Sequence, residues 1–375
     1  MAKHHSFTLG VLTVSLLFLV SIPTSGLPCT VLATQVNDSA VLARTLDWEV
    51  HLPGMVLVNP RGLEKSVLAW HGYAPDPVPR DSMTWIARYM SITFTGYGRD
   101  FITSGMNEAG LMVAGANAPA EFLQPDNRPG MSCFQWIQAQ LDLYASVAEV
   151  LDGLDRFHVD GESWHILFSD KSGECLAVEF IADGIEVIQG VSLPLPVLTN
   201  ATCPQLAAHL PLDESFGGTM DLKRGDDSFA RYLRVAEALR DQDTSEFSTS
   251  EAYAFHLLEL AQVSDTQRWV VFNSATGQVT WKTSTNGKLC WLTFNDLLEE
   301  ASALVRWVPI DAPGAGDISA ELKPCTYEDN RTVVSTIVGE GRITGKTGAA
   351  HPELEFDVES IARHPGWDHV DEEKK

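Results

Sequence analysis

Four predicted β-hairpins restrict the fold of this sequence more than any other feature. In each hairpin, two apolar runs flank a short turn that contains asparagine, aspartate, serine or glycine. The turns fall at residues 37–39, 107–110, 170–173 and 273–277. Helical segments separate the hairpins, and this alternation predicts antiparallel sheets covered by helices, an α+β layered domain.

The helical segments are recognised by apolar residues at helical spacing. In the second of them, Ser146 and Glu149 have the spacing of a capping box at the start of a helix. The predicted helices cover residues 131–144, 146–157, 228–241, 250–263 and 294–307.

Residues 1–28 have the order of a secretory signal: a basic start, an apolar run and a break of small residues. The apolar run is too short and too weakly flanked to predict a membrane span. We therefore expect residues 1–28 to be a removed leader and the mature protein to be exported, either periplasmic or secreted. Residues 29–344 are predicted to form the folded domain, and residues 345–375 a polar, flexible tail.

Composition limits the possible partners. A formal net charge of −24 argues against binding to nucleic acid or to anionic membrane surfaces. The six cysteines are sparse, and the sequence contains neither a C-x-x-C pair nor an H-E-x-x-H motif. We expect no metal and no cofactor.

Cys29 directly follows the predicted leader. A chain that begins there carries a nucleophile and a base on one residue, because an α-amine titrates near ~7.7 and a thiol near ~8.5. With the first turn centred on Asp38, antiparallel pairing places Cys29 opposite Asp47. Arg44 would then face the other side of the strand, unless a bulge near residues 45–46 turned it.

Five motifs resemble the choloylglycine hydrolase family, the N-terminal-nucleophile hydrolases that include bile salt hydrolases and penicillin V acylases. They are "CT" at 29–30, "ARTLDWE" at 43–49, "GMNEAGLMVAGAN" at 105–117, "VLTN" at 197–200 and "SFARYLR" at 228–234. The resemblance extends from Cys29 to about Trp291. The export signal and Trp48 make the chain more similar to the Gram-negative, periplasmic branch.

The resemblance implies a four-layer αββα sandwich, the N-terminal-nucleophile hydrolase fold. It also implies that Cys29 is the nucleophile, exposed by removal of the preceding segment. Arg44 and Asp47 match the family's R-x-x-D, which flanks the thiol and the amine. The same resemblance implies a homo-oligomer, in particular a homotetramer.

Three further positions match family residues beyond the first hairpin. Asn117 matches a residue that helps to form the oxyanion hole in the bile-salt-cleaving branch. Asn200 matches the asparagine that holds the substrate amide region and the oxyanion. Arg231 matches the arginine that supports the nucleophile pocket, and the motif favours it over the neighbouring Arg234.

We predict an exported cysteine hydrolase that cleaves a linear non-peptide amide through a thioester. Its substrate is a small amide with a hydrophobic acyl group, as in penicillin V, a conjugated bile acid or an N-acyl-homoserine lactone. Trp48, Trp85 and Phe122 are candidates for an aromatic acyl pocket. Two alternatives stay open: a non-enzymatic exported binding protein or lipoprotein with Cys29 lipidated or disulfide-bonded, and an inactive relative with the same fold.

Overall fold

The computed structural model describes residues 29–49, 51–67, 83–96, 98–99, 101–118, 130–159, 164–181, 184–299 and 303–339. The predicted leader, the predicted tail and Phe122 lie outside the described residues. Among the described residues, no helix is both long enough and apolar enough to cross a lipid bilayer.

The strands of the described residues, in chain order, are β1 (Thr30–Val36), β2 (Ser39–Asp47), β3 (Met55–Asn59), β4 (Glu64–Ser66), β5 (Thr84–Ile86), β6 (Ser91–Thr95), β7 (Ile102–Asn107), β8 (Met112–Asn117), β9 (Gly130–Met131), β10 (His158–Val159), β11 (Trp164–Ser169), β12 (Cys175–Ile181), β13 (Gly184–Ile188), β14 (Val197–Leu198), β15 (Thr266–Asn273), β16 (Gln278–Thr283), β17 (Cys290–Thr293), β18 (Arg306–Pro309), β19 (Gly316–Asp317) and β20 (Lys323–Pro324). The α-helices are α1 (Cys133–Leu143), α2 (Val147–Gly153), α3 (Cys203–His209), α4 (Ser228–Asp241), α5 (Ser250–Leu260), α6 (Phe294–Glu299) and α7 (Tyr327–Gly339).

Two large sheets dominate the described residues. The seven-stranded sheet has the order β14-β1-β2-β15-β16-β17-β19, and the nine-stranded sheet has the order β13-β12-β11-β8-β7-β6-β3-β18-β20. Neighbouring strands within both sheets are antiparallel except for β17 and β19. All four predicted hairpins are present, as β1–β2, β7–β8, β11–β12 and β15–β16.

The sheets and helices form four layers. Strands β1 and β2 contact β8 and β11 across the space between the two sheets. Helices α4 and α5 pack on the outer side of the seven-stranded sheet, where Leu32, Val41 and Ala43 face them. Helix α1 packs against β7 and β8 of the nine-stranded sheet. This arrangement confirms the predicted αββα sandwich.

Two helix predictions need correction. The helix predicted over residues 294–307 is described as helical only over α6, and its last residues belong to β18, which pairs with β3. Trp307 and Val308 are buried in the sheet. This packing, and not the helical spacing of the apolar residues, determines the structure of the segment. At α2, the Ser146 hydroxyl accepts the Glu149 N–H as predicted, but the Glu149 carboxylate accepts the N–H of Ala145, one residue before the cap.

Candidate active site

The first hairpin sets the geometry around Cys29. Its turn consists of Asn37 and Asp38, both with positive φ (50° and 61°), the conformation of a two-residue hairpin turn. The pairing runs from Val36 with Ser39 to Thr30 with Thr45. Sequence analysis placed the centre of the turn on Asp38, so the predicted register was wrong by one residue.

This shift decides which side chains share a face with Cys29. Residues two apart along a strand share a face, and so do directly paired residues. Because Val31 pairs with Arg44, Arg44 lies on the Cys29 face, between the sheets. Asp47 lies on the opposite face, toward α4. The prediction had the two reversed, since a one-residue slip moves every side chain to the other face.

No bulge in β2 is therefore needed to bring Arg44 to Cys29. The register between β1 and β2 is regular, and an irregularity occurs instead in the facing strand β15, between Thr266 and Arg268. It lies beside Asp47, with which Thr266 is paired. Bulges commonly re-aim side chains beside functional sites in this way.

Cys29 is completely buried and contacted on three sides. Its thiol lies 3.6 Å from Arg44 Nη2, its N–H donates to Asn200 Oδ1 at 3.0 Å, and Arg231 Nη1 donates to its carbonyl oxygen at 2.9 Å. Burial raises the pKa of the thiol, while the Arg44 guanidinium acts in the opposite direction. The net rise means that this thiol needs a nearby base to become a nucleophile.

Asp47 is a buried carboxylate with one well-contacted oxygen. Its Oδ2 accepts from the Thr45 hydroxyl at 3.3 Å and lies 3.9 Å from Arg231 Nη1. Its Oδ1 has no hydrogen-bond partner among the described residues. Burial raises its pKa to about 6, although Thr266, Arg231 and Thr45 oppose the rise. The carboxylate can still accept a hydrogen bond from a new donor.

Asn200 joins Cys29 to the nine-stranded sheet. Its Oδ1 accepts from Cys29 N–H and from Arg231 Nη2, the latter at 2.6 Å. Its Nδ2 donates to the backbone carbonyl of Asn117 at 2.8 Å. The two predicted asparagines are thus brought together, with Asn117 taking part through its main chain in this contact.

The choice between Arg231 and Arg234 is clear from their contacts. Arg231 is buried and bonds to Cys29, Asn200 and the Thr30 hydroxyl. Arg234, three residues further along α4, donates instead to the backbone carbonyls of Leu260, Lys223 and Gly225. Arg231 is therefore the arginine at the site, and Arg234 fixes surrounding loops.

About half of the chain matches a known protein family. Residues 29–210 match the family described as linear amide C–N hydrolases, choloylglycine hydrolase family. This part of the chain belongs to the choloylglycine hydrolase family. Cys29 is the first residue of the match, and Arg231 lies beyond its end.

A sequence relative supports this assignment to the choloylglycine hydrolase family. The chain is 28% identical over 222 residues to penicillin V acylase from Pectobacterium atrosepticum. That alignment covers 53% of this chain and 55% of the relative, so it spans little more than half of the relative's length.

Two solved structures of amide hydrolases share the fold of this chain. Penicillin V acylase from Agrobacterium tumefaciens superimposes with a TM-score of 0.67 at 24% identity, over 80% of this chain and 98% of that one. A variant of conjugated bile acid hydrolase from Clostridium perfringens gives a TM-score of 0.60 at 18% identity, over 76% of this chain and 98% of that one. These likenesses establish the N-terminal-nucleophile hydrolase fold.

Of the three aromatic residues proposed for an acyl pocket, the structure describes Trp48 and Trp85. Trp48 is half-buried, and Gln267 Nε2 donates to its carbonyl oxygen at 2.6 Å. Trp85 is 4% exposed, packs edge-on against Phe157 and donates its indole N–H to Asp142 at 2.8 Å. Trp85 is thus a core residue, and no contact described in the structure links it to Cys29.

Trp164 is an aromatic residue that contacts Arg44, and it was not predicted from the sequence. The Arg44 guanidinium lies 5.8 Å from the centre of its ring, within the range of a cation–π contact. A Cβ atom on Gly115, in the neighbouring strand β8, would lie 2.6 Å from this ring, so the glycine makes room for it. Gly115 falls inside the "AGAN" segment, but nothing in the sequence linked it to Trp164.

One cluster among the described residues has metal-ligand chemistry. The ligand atoms of His165, Glu179 and Cys203 lie within 4.8 Å of one another, and all three residues are buried. No sequence motif indicates this cluster, because its residues lie on β11, β12 and α3 and meet only in the fold.

Proposed function

We propose that this protein is an exported cysteine hydrolase that cleaves a linear non-peptide amide bond, with Cys29 as the first residue of its mature chain. The observation that carries the proposal is the Cys29 thiol at 3.6 Å from the Arg44 guanidinium, with Asn200, Arg231 and Asp47 around the same residue. Membership of a family of linear amide C–N hydrolases supports it.

Removal of residues 1–28 supplies the base that the buried thiol needs. Cleavage before Cys29 turns its peptide nitrogen into an α-amine, which can take the thiol proton at neutral pH. The new N–H groups need acceptors, and Asn200 Oδ1 already accepts from this nitrogen. We expect Asp47 Oδ1, which lacks a partner among the described residues, to accept a second hydrogen bond.

The reaction then proceeds by acyl transfer. The thiolate sulfur bonds to the amide carbonyl carbon, and the oxyanion is held by Asn117, backbone N–H groups and the Asn200 amide. Collapse of this intermediate breaks the C–N bond, and the α-ammonium gives its proton to the leaving amine. Water, deprotonated by the amine, attacks the thioester, which releases the acid and restores the thiol.

The proposed substrates share a hydrophobic acyl group on a linear amide. The penicillin V acylase relative favours a substrate of the acylase type, and the proposed export favours an extracellular or periplasmic one. Arg44 and Trp164 line the Cys29 face between the two sheets. An aromatic or aliphatic acyl group placed there would meet mainly apolar strand residues.

A substrate panel tests this function. We expect the purified mature protein to release a primary amine from at least one of penicillin V, a conjugated bile acid, an N-acyl-homoserine lactone and an N-acylethanolamine. Rapid acid quenching followed by peptide mass spectrometry should find the acyl group on Cys29. EDTA should not lower the rate, because nucleophile and base both come from Cys29.

Two results would count against the function. One is the absence of amine release from every member of the panel by protein that is folded and begins at Cys29. The other is an acyl adduct on one of the other five cysteines of the sequence.

A further inference from the structure

A buried histidine–carboxylate pair lies directly behind Asn200. His165 on β11 and Glu179 on β12 are cross-strand partners, and their Nδ1 and Oε1 atoms are 3.2 Å apart. His165 is completely buried and Glu179 is 4% exposed. Burial of two ionisable side chains costs desolvation free energy, so their hydrogen bonds must compensate for it.

The contacts fix the protons of the histidine ring. His165 Nε2 lies 2.7 Å from the carbonyl oxygen of Thr199, which can only accept, so Nε2 carries a proton. Glu179 Oε1 also accepts the Cys203 N–H at 2.6 Å. Burial opposes ionisation of Glu179, but the bonds from His165 and Cys203 lower its pKa below the usual value. An ionised Glu179 requires a proton on Nδ1 as well.

The pair therefore holds the backbone immediately before Asn200. From the other side, Ser228 at the start of α4 holds the same segment: its Oγ lies 2.7 Å from the Thr199 hydroxyl and accepts the Asn200 N–H at 2.8 Å. Thr199 follows β14 of the seven-stranded sheet, whereas His165 belongs to the nine-stranded sheet. The hydrogen bond to Thr199 thus connects the two sheets beside the site.

Hydrogen bonding accounts for this cluster better than metal binding. A metal ion would require His165 to give up the proton on Nδ1 and Cys203 to lose its thiol proton. Burial and the nearby Glu179 carboxylate instead raise the pKa of the Cys203 thiol far above its usual range. Both ring nitrogens already have protein partners.

We propose that His165, held by Glu179, is a positioning residue that sets the Thr199–Asn200 backbone and so aims the Asn200 side chain at Cys29. The inference rests on the proposed function, in which Asn200 acts on the reacting amide. A displacement of about 1 Å in such a group lowers the chemical rate by about 10²-fold.

Three variants test the role. His165→Phe removes the bond to Thr199, and we expect kcat to fall by about 10- to 100-fold with little change in KM. Glu179→Gln leaves a neutral ring that still donates to Thr199, so kcat should stay within about threefold of the parent. His158→Phe, a buried histidine on β10, is the matched control and should leave kcat unchanged.

Hydrogen exchange gives a readout that does not depend on activity. In His165→Phe, the peptide that contains Asn200 should exchange about tenfold faster than in the parent, and in His158→Phe it should not. If His165→Phe does not fold, His165→Asn, whose side chain is too short to reach Thr199, should give the same result.

An unchanged kcat, or an unchanged exchange rate at Asn200, would overturn the positioning role. So would a fall in kcat that is equal in His165→Phe and His158→Phe. If the parent cleaves no member of the amide panel, the proposed function fails, and the exchange measurement alone then decides whether His165 holds this segment.

Discussion

Replacement of Cys29 by serine is expected to abolish amide hydrolysis and to leave the leader attached. The Arg44 guanidinium lies 3.6 Å from the thiol in this structure, and a serine hydroxyl ionises far less readily than a thiol. We expect kcat to fall by about 10⁴-fold or more, as for loss of other enzyme nucleophiles. Amine release and intact mass, measured on the same preparation, check both effects.

Cys175→Ser is the matched control. Cys175 is half-buried at the start of β12, and its thiol contacts the Ser169 hydroxyl and the Gly173 carbonyl oxygen. We expect this variant to be processed and to keep the parent rate. Full activity in Cys29→Ser would refute the assignment of the nucleophile, and a large loss in Cys175→Ser would show that the assay responds to folding.

Replacement of Arg231 by methionine is expected to have the next largest effect. The guanidinium bonds to the Cys29 carbonyl oxygen, the Thr30 hydroxyl and Asn200 Oδ1, and Asp47 Oδ2 lies 3.9 Å away. Methionine has a similar length but no hydrogen-bond donor and no charge. The three oxygen acceptors therefore lose their donor, and the buried Asp47 carboxylate loses its neighbouring cation. Removal of one partner of a buried charge pair costs about 3–5 kcal/mol.

We therefore expect Arg231→Met to lower the free energy of unfolding by about 3 kcal/mol and kcat by about 10²-fold. Urea unfolding and steady-state kinetics on the fraction that stays folded separate the two effects. Arg234→Met, on the same helix, removes bonds to three backbone carbonyls and should lower stability without a comparable loss of kcat. Equal kinetic effects in the two variants would contradict a site role for Arg231.

The sequence predicts the layers of this fold well because its strongest local signals are hairpin turns. The Asn37–Asp38 turn is a good example: both residues tolerate positive φ, and the two flanking runs pair as expected. What the sequence does not specify is whether the turn contains two residues or three. That single difference exchanges the faces of Arg44 and Asp47, and only the structure resolves it.

The site residues that motifs identified are brought together, whereas Trp85, which was chosen by residue type, lies elsewhere. Asn200 and Arg231 lie far from Cys29 in sequence but bond to it, and Asn117 accepts a hydrogen bond from Asn200. Trp85 was selected only as an aromatic residue, and it packs in the core. The pair His165–Glu179 could not be predicted, because it forms across two strands whose register the sequence does not specify.

The central claim is that the catalytic unit is a cysteine with its own free α-amine. The N-terminal sequence and intact mass of catalytically active protein test this most directly. We predict that the chain begins at Cys29, with an unmodified thiol and no lipid adduct. Active protein that begins at any other residue, or that carries a blocked amine on Cys29, would contradict the account.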